Sequence, residues 1–271
     1  MLSLFIHYEQ SEIHYLYYGN GSTNIICLHG YGESAASFGC LIEYLPAGFS
    51  LISIDLPFHG TTQWNEKRAF TIKDLVFIIT QIFITLNIQT PHFILIGYSM
   101  GGRIAMSLLQ YMPDSISKLV LLAPDGMKVN FWYWLATQTY AGNRIFRFTM
   151  KNPGWFLKLL QISDRLKLIN KSVSKFTNAY IEDTNIRNQL FDRWTCMRTF
   201  KPDLTKMRTI IRQKLLPVKM LYGKHDRIIQ VKRAVKLRKG IESLCELHII
   251  DSGHQVLQQK HACIIIQLLT T

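Results

Sequence analysis

The chain has 271 residues, a formal net charge of +13 and 48% hydrophobic residues, which suits one large α/β domain with a core and a modest insertion. Its five cysteines (27, 40, 196, 245 and 263) are odd in number and form no CxxC pair, which argues against a disulfide framework or a cysteine zinc site. The same usage fits a reducing cytoplasm, and Met1 to His7 lacks the charged start and long apolar stretch of a signal peptide.

The apolar region from Leu75 to Ile88 is broken by Thr80, Gln81, Thr85 and Asn87. It is too short and too polar to cross a bilayer, so a core helix and no transmembrane segment are expected. The charge is uneven: residues 126 to 216 hold seventeen Lys and Arg against five Asp and Glu. Such a field attracts an anionic substrate or a membrane surface, and the plainer alternative is a solvated cationic face. No nucleic-acid module is recognisable.

In chain order, an antiparallel pair opens the fold, with turns at Gln10-Ser11 and Gly19-Asn20-Gly21. A strand at Asn24 to Cys27 follows, then a helix near Ala35 to Leu45 and a strand at Leu51 to Ile54. Next come a helix from about Ile72 to Leu86, a strand at Phe93 to Ile96, and a helix that Pro113 stops. Lys118 to Leu122 is the sixth strand of this series. From 126 to 202 the text turns helical, aromatic and basic, with Phe131 to Leu135, Trp155 to Leu157, Phe176, Tyr180 and Trp194. Strand rhythm resumes at Val218 to Tyr222, and a helix from Val231 to Lys239 follows. A strand at Leu247 to Ile250 and a helix from Gln255 to Leu269 close the chain. The expected organisation is an α/β core domain (1–125 and 203–271) with a mostly parallel, doubly wound sheet, and a helical cap (126–202) inserted after the sixth strand.

Gly97-Tyr98-Ser99-Met100-Gly101 sits where a strand meets a helix. A serine between two glycines at such a turn is a nucleophile elbow: strain lifts the hydroxyl above the sheet, and the helix N-terminus favours developing negative charge. Other polar clusters sit at strand carboxyl ends, where open α/β sheets bind ligands. They are His29-Gly30-Tyr31-Gly32, Asp55-Leu56-Pro57-Phe58-His59-Gly60, Gly223-Lys224-His225-Asp226 and Asp251-Ser252-Gly253-His254. A serine hydroxyl needs an adjacent base, which His254 offers near neutral pH, and an acid that orients that base. Asp226 is the preferred acid and Asp125, after the sixth strand, its rival.

These motifs, in the order Ser, Asp, His, resemble the α/β-hydrolase superfamily from residue 28 to residue 254. The resemblance implies Ser99 as nucleophile, His254 as base and Asp226 as orienting acid, with the Tyr31 and Met100 amides as oxyanion donors. His29, Asp55 and His59 then shape loops. Serine at the elbow disfavours the epoxide hydrolases and haloalkane dehalogenases of this fold, which place aspartate there. Hydrolysis of a small ester or related acyl compound is the expected activity, with no metal or organic cofactor; haloperoxidase-like members share the triad.

The phrase Gly-Tyr-Ser-Met-Gly-Gly-Arg also resembles the cyclohexadiene-carboxylate synthase of menaquinone biosynthesis, a pyruvate-eliminating lyase. That likeness implies carboxylate recognition by Arg103, beside Tyr98, or else a structural ion pair for Arg103. A receptor-type member of the fold is a third alternative. Trp132 and Trp134 are candidates to line an apolar pocket over the acyl group, or to form the cap's own core.

Overall fold

The computed structural model describes residues 1–90, 92–128, 131–165, 181 and 183–271. Phe176 and Tyr180 lie outside the described residues. Eight strands build one sheet: β1 (Leu2–Tyr8), β2 (Ser11–Gly19), β3 (Thr23–Leu28), β4 (Phe49–Ile54), β5 (Phe93–Tyr98), β6 (Ile116–Leu122), β7 (Val218–Gly223) and β8 (Cys245–Ile250). Their order is β1-β2-β4-β3-β5-β6-β7-β8. β1 and β2 pair antiparallel, β2 pairs antiparallel with β4, and every later pair is parallel. The parallel strands are covered on both faces, so β3, β5 and β6 read as nearly unbroken apolar runs.

One face carries Ile25, Cys27, Ile94, Ile96, Val120 and Leu122 against Phe38, Leu41 and the closing helix residues Ile265 and Leu269. Each fully buried Leu, Ile or Phe here contributes about 1.5–3 kcal/mol. The other face receives α1 (Ile72–Thr85) and α2 (Met100–Tyr111). Thr71 and Asp74 form a reciprocal capping box that starts α1.

Two expectations change in detail. Ala35–Tyr44 is a 3₁₀ helix, its turns closing on i+3 bonds such as Ser37 N–H to the Ser34 carbonyl at 3.0 Å. The closing helix is shorter than expected: a 3₁₀ turn covers Gln259–His261 and the α-helix runs from Ala262 to Thr270. Residues 255–258 are used differently. Val256 N–H donates to the His254 carbonyl at 2.9 Å and Gln258 N–H to the Val256 carbonyl at 3.2 Å, a run of tight turns that holds the His254 loop.

The chain divides into two compact units, Met1–Lys128 with Thr199–Thr271, and Val129–Arg198. The smaller unit contains α3 (Phe131–Gln138), α4 (Tyr140–Lys151), α5 (Gly154–Arg165) and a helix over Thr184–Cys196. Rings tie it together: Tyr133 lies 5.1 Å from Trp194, and Phe146 lies 5.3 Å from Phe191. The buried Arg187 guanidinium donates to the Met150 and Ile181 carbonyls, each at 2.6 Å. All five cysteines are free thiols. No described helix is long and apolar enough to cross a membrane.

Candidate active site

The sheet register sets Leu28, Gly97 and Leu121 side by side, and Gly223 beside Ile250, so the loops leaving β3, β5, β7 and β8 emerge at one edge. Ser99 sits between β5 and α2 with φ 49° and ψ −111°, a backbone region that costs a non-glycine residue about 1–3 kcal/mol. Its surroundings fix it there. The Ser99 amide donates to the Leu122 carbonyl at 2.9 Å, and its own carbonyl accepts from Asp125 N–H at 2.9 Å and Gly102 N–H at 3.0 Å.

Small residues are mandatory at this turn. A β-carbon on Gly97 would lie 2.5 Å from the Gly101 carbonyl oxygen, and one on Gly101 would run into the Leu28 carbonyl. Gly101→Ala is therefore expected to destabilise the fold by about 1–3 kcal/mol, the usual cost of overpacking. Denaturant unfolding checks this, and an unchanged midpoint contradicts the close packing.

The Asp226 and His254 loops are zipped together. His225 N–H donates to the Ser252 carbonyl at 2.9 Å and Lys224 N–H to the Ile250 carbonyl at 2.8 Å. One carboxylate oxygen of Asp226 accepts from the Ile228 and Ile229 amides at 2.7 and 2.8 Å. The other meets His254 Nδ1 at 2.7 Å, and His254 Nε2 lies 3.0 Å from Ser99 Oγ. The Asp226 side chain is fully buried, while His254 is 17% exposed. The two amides fix which oxygen faces the ring, so the carboxylate accepts from Nδ1–H and leaves Nε2 as the acceptor facing the serine. The rival acid is engaged elsewhere: Asp125 pairs with Arg103 at 3.6 Å, and Arg103 is itself buried.

Tyr98 is buried beneath this assembly. Its hydroxyl donates to the His254 carbonyl at 3.2 Å, and its ring lies 5.7 Å from the imidazole. Burial pushes its phenol well above the usual range. A β-carbon on Gly30 would sit 2.9 Å from the Tyr98 ring, so the loop carrying Tyr31 lies directly on it. Met100 opens α2, where first-turn amides have no intrahelical acceptor and carry the positive end of the helix dipole. Trp132 and Trp134 belong to the smaller unit, with 71% and 45% of their surface exposed. Both rings lie against Phe131, while Tyr133, Phe146, Phe191 and Trp194 pack with one another.

The other histidines bond locally. His29 Nδ1 meets the Gly30 carbonyl at 2.8 Å, and Nε2 accepts from Leu56 N–H at 3.0 Å. His59 Nδ1 meets the Pro57 carbonyl at 2.9 Å. Asp55 accepts from the Ala35 and Thr61 amides at 2.6 and 3.0 Å and meets His14 Nδ1 at 2.7 Å. These residues shape the loops.

Sequence reasoning missed Glu33, which follows the His-Gly-Tyr-Gly run. The signal was present, a carboxylate inside a loop read only for its amides. Burial raises its carboxyl above the usual range, against the pull of hydrogen bonds from Gly30 and Ser37 and the charge of His254. Its Oε2 is buried without a hydrogen-bond partner among the described residues. A carboxyl raised in the folded state favours folding at low pH, below the unfolded carboxyl's titration. That contribution is lost as pH rises through the higher folded value. Glu33→Gln is thus expected to raise the melting temperature at neutral pH, with the gain shrinking toward pH 4. A gain that grows on acidification contradicts this.

The profile of the alpha/beta hydrolase fold family matches residues 23–260. Monoacylglycerol lipase ABHD6 of Homo sapiens is 23% identical, the match covering 98% of this chain and 82% of that protein. A putative 2-succinyl-6-hydroxy-2,4-cyclohexadiene-1-carboxylate synthase of Bacillus subtilis is 41% identical, but over 104 residues, 38% of this chain and 36% of that one. Among solved structures, a thermophilic esterase from Thermogutta terrifontis superimposes with a TM-score of 0.69 at 16% identity, covering 98% of this chain and 96% of that one. By the profile match over most of its length, in agreement with its sheet order, the chain belongs to the alpha/beta hydrolase fold family.

Proposed function

We propose that the protein is a serine hydrolase of small esters or related acyl compounds, acting through an acyl-enzyme. The observation that carries this reading is the hydrogen-bonded chain from Ser99 Oγ through His254 to Asp226. His254 takes the serine proton as Oγ attacks the carbonyl, then returns it to the leaving alcohol. Asp226 holds the imidazole tautomer and stabilises its charged form. The Met100 and Tyr31 amides are the proposed donors to the tetrahedral oxyanion. Water then repeats the sequence to free the acid.

The pyruvate-eliminating alternative asks for a carboxylate-bearing substrate. Two features weigh against it: Arg103 is paired with Asp125, and Glu33 puts a carboxyl beside the Gly30 loop. Hydrolysis of p-nitrophenyl esters, from acetate to long chains, tests the hydrolase reading and sizes the acyl pocket. Within that panel, p-nitrophenyl butyrate is expected to exceed p-nitrophenyl hemisuccinate in kcat/KM by about tenfold, one displaced charge interaction of about 1.4 kcal/mol. Preference for the hemisuccinate would reverse the inference about substrate charge. No turnover of any ester by folded protein would move weight to the lyase or the receptor reading.

A further inference from the structure

The smaller unit carries a cationic groove that the proposed chemistry does not use. It has a volume of about 870 Å³ and is lined by Thr137 to Tyr140, Asn143, Arg144, Arg147, Phe148, Lys151 and Arg198. Four of these are cations and none is an acid. On α4, residues 140, 144, 147, 148 and 151 recur at helical spacing and share one stripe. The buried residues Gly142, Thr149 and Met150 lie on the opposite side, so the stripe faces away from the unit's own interior.

The guanidinium groups are held by local contacts. Arg144 donates to the Tyr140 hydroxyl at 2.9 Å and lies 5.6 Å from that ring. Arg198 donates to the Thr137 carbonyl at 3.3 Å. Arg147 rests 5.4 Å from the Phe191 ring, and Asp192 is the acid within its field.

An exposed aromatic stripe runs into the groove. Phe131, Trp134 and Gln138 share a face of α3, and Gln138 lines the groove. Phe131 packs 5.4 Å from Trp132 and 6.1 Å from Trp134. Phe131 is 62% exposed, Trp132 71%, and Tyr140 at the groove edge 77%. Exposed apolar patches of this kind mark interaction surfaces. Trp, Tyr and Phe beside Arg and Lys is the composition of helices that lie in a membrane interface, with rings at headgroup level and cations on anionic headgroups.

We propose that this α3–α4 face docks on a bilayer containing anionic phospholipid. The four cations meet lipid phosphates, and Phe131, Trp132 and Trp134 enter the headgroup layer. The proposal is independent of the hydrolase reading, since Ser99→Ala should bind vesicles as the wild type does.

The test is flotation of the full chain with phosphatidylcholine vesicles, with and without a third phosphatidylglycerol, at low salt. Binding to the anionic vesicles is expected to exceed binding to neutral ones by at least tenfold and to fall in 0.5 M salt. Joint replacement Arg144→Gln, Arg147→Gln and Lys151→Gln should weaken it by about a hundredfold, at about fivefold per cation. The same neutralisation at Lys232, Arg233 and Lys236, outside this unit, should leave binding near the wild-type value. If the groove variant does not fold, brominated lipid decides on the wild type: tryptophan quenching that Trp132→Phe with Trp134→Phe abolishes supports insertion. Equal binding to neutral vesicles, wild-type binding by the folded groove variant, or absence of quenching overturns the proposal. So does self-association through this face without vesicle binding, or groove occupancy by inorganic phosphate alone.

Discussion

Ser99→Ala is expected to lower kcat on p-nitrophenyl esters by on the order of 10⁵- to 10⁶-fold, with little change in KM. That is about 7–8 kcal/mol of transition-state stabilisation. The size follows from the proposed role: without Oγ no acyl-enzyme forms, and His254 has no proton to take. Residual turnover would come from binding and the oxyanion donors alone. The fold should tolerate the change, because the alanine keeps the amide and carbonyl bonds that hold the turn and relieves none of its φ strain. Wild-type turnover in the variant would remove the serine from the mechanism.

Asp226→Asn is expected to cost about 10⁴-fold in kcat, without loss of fold. The backbone amides of Ile228 and Ile229 determine how the asparagine side chain is oriented. Both N–H groups donate and need an acceptor oxygen, so the asparagine carbonyl must face them and its NH₂ group must face His254 Nδ1. A donor there forces the imidazole to carry its proton on Nε2, pointing at Ser99. The ring then cannot accept the serine proton. An activity loss of only a few-fold, with normal folding, would show that the orientation of His254 does not depend on this carboxylate. Asp125→Asn is the matched comparison, since that acid faces Arg103 and should leave kcat within a few-fold of wild type.

The core was legible because its signals are local and strong. β3, β5 and β6 are apolar runs bounded by turns, and Gly97 and Gly101 record a backbone approach that no other residue permits. The apolar periodicity places the start of α1 at about Ile72, where the structure begins it behind the Thr71–Asp74 capping box. Which acid bonds His254 was legible only as a preference, because Asp226 and Asp125 both follow strands; the geometry puts Asp226 on the imidazole and Asp125 on Arg103. Glu33 was missed for a different reason. Its character depends on burial behind the Gly30 loop, and burial has no signature in a polar loop sequence. The span of the closing helix was overestimated because Val256 and Leu257 continue the apolar pattern while the Val256 amide bonds the His254 carbonyl in a tight turn. In the smaller unit, periodicity found helices but not faces: Tyr133 and Trp194 pack together while Trp132 and Trp134 are exposed, a difference of one residue along α3.

The most direct test of the central claim is covalent labelling with a fluorophosphonate, read by peptide mass spectrometry. Attack by Ser99 Oγ on phosphorus expels fluoride and leaves a stable phosphonyl-serine. The account predicts one adduct, on the peptide containing Ser99, absent from Ser99→Ala and formed orders of magnitude more slowly by Asp226→Asn. An unlabelled Ser99 in folded wild-type protein, or an adduct that persists in Ser99→Ala at the wild-type rate, would contradict it.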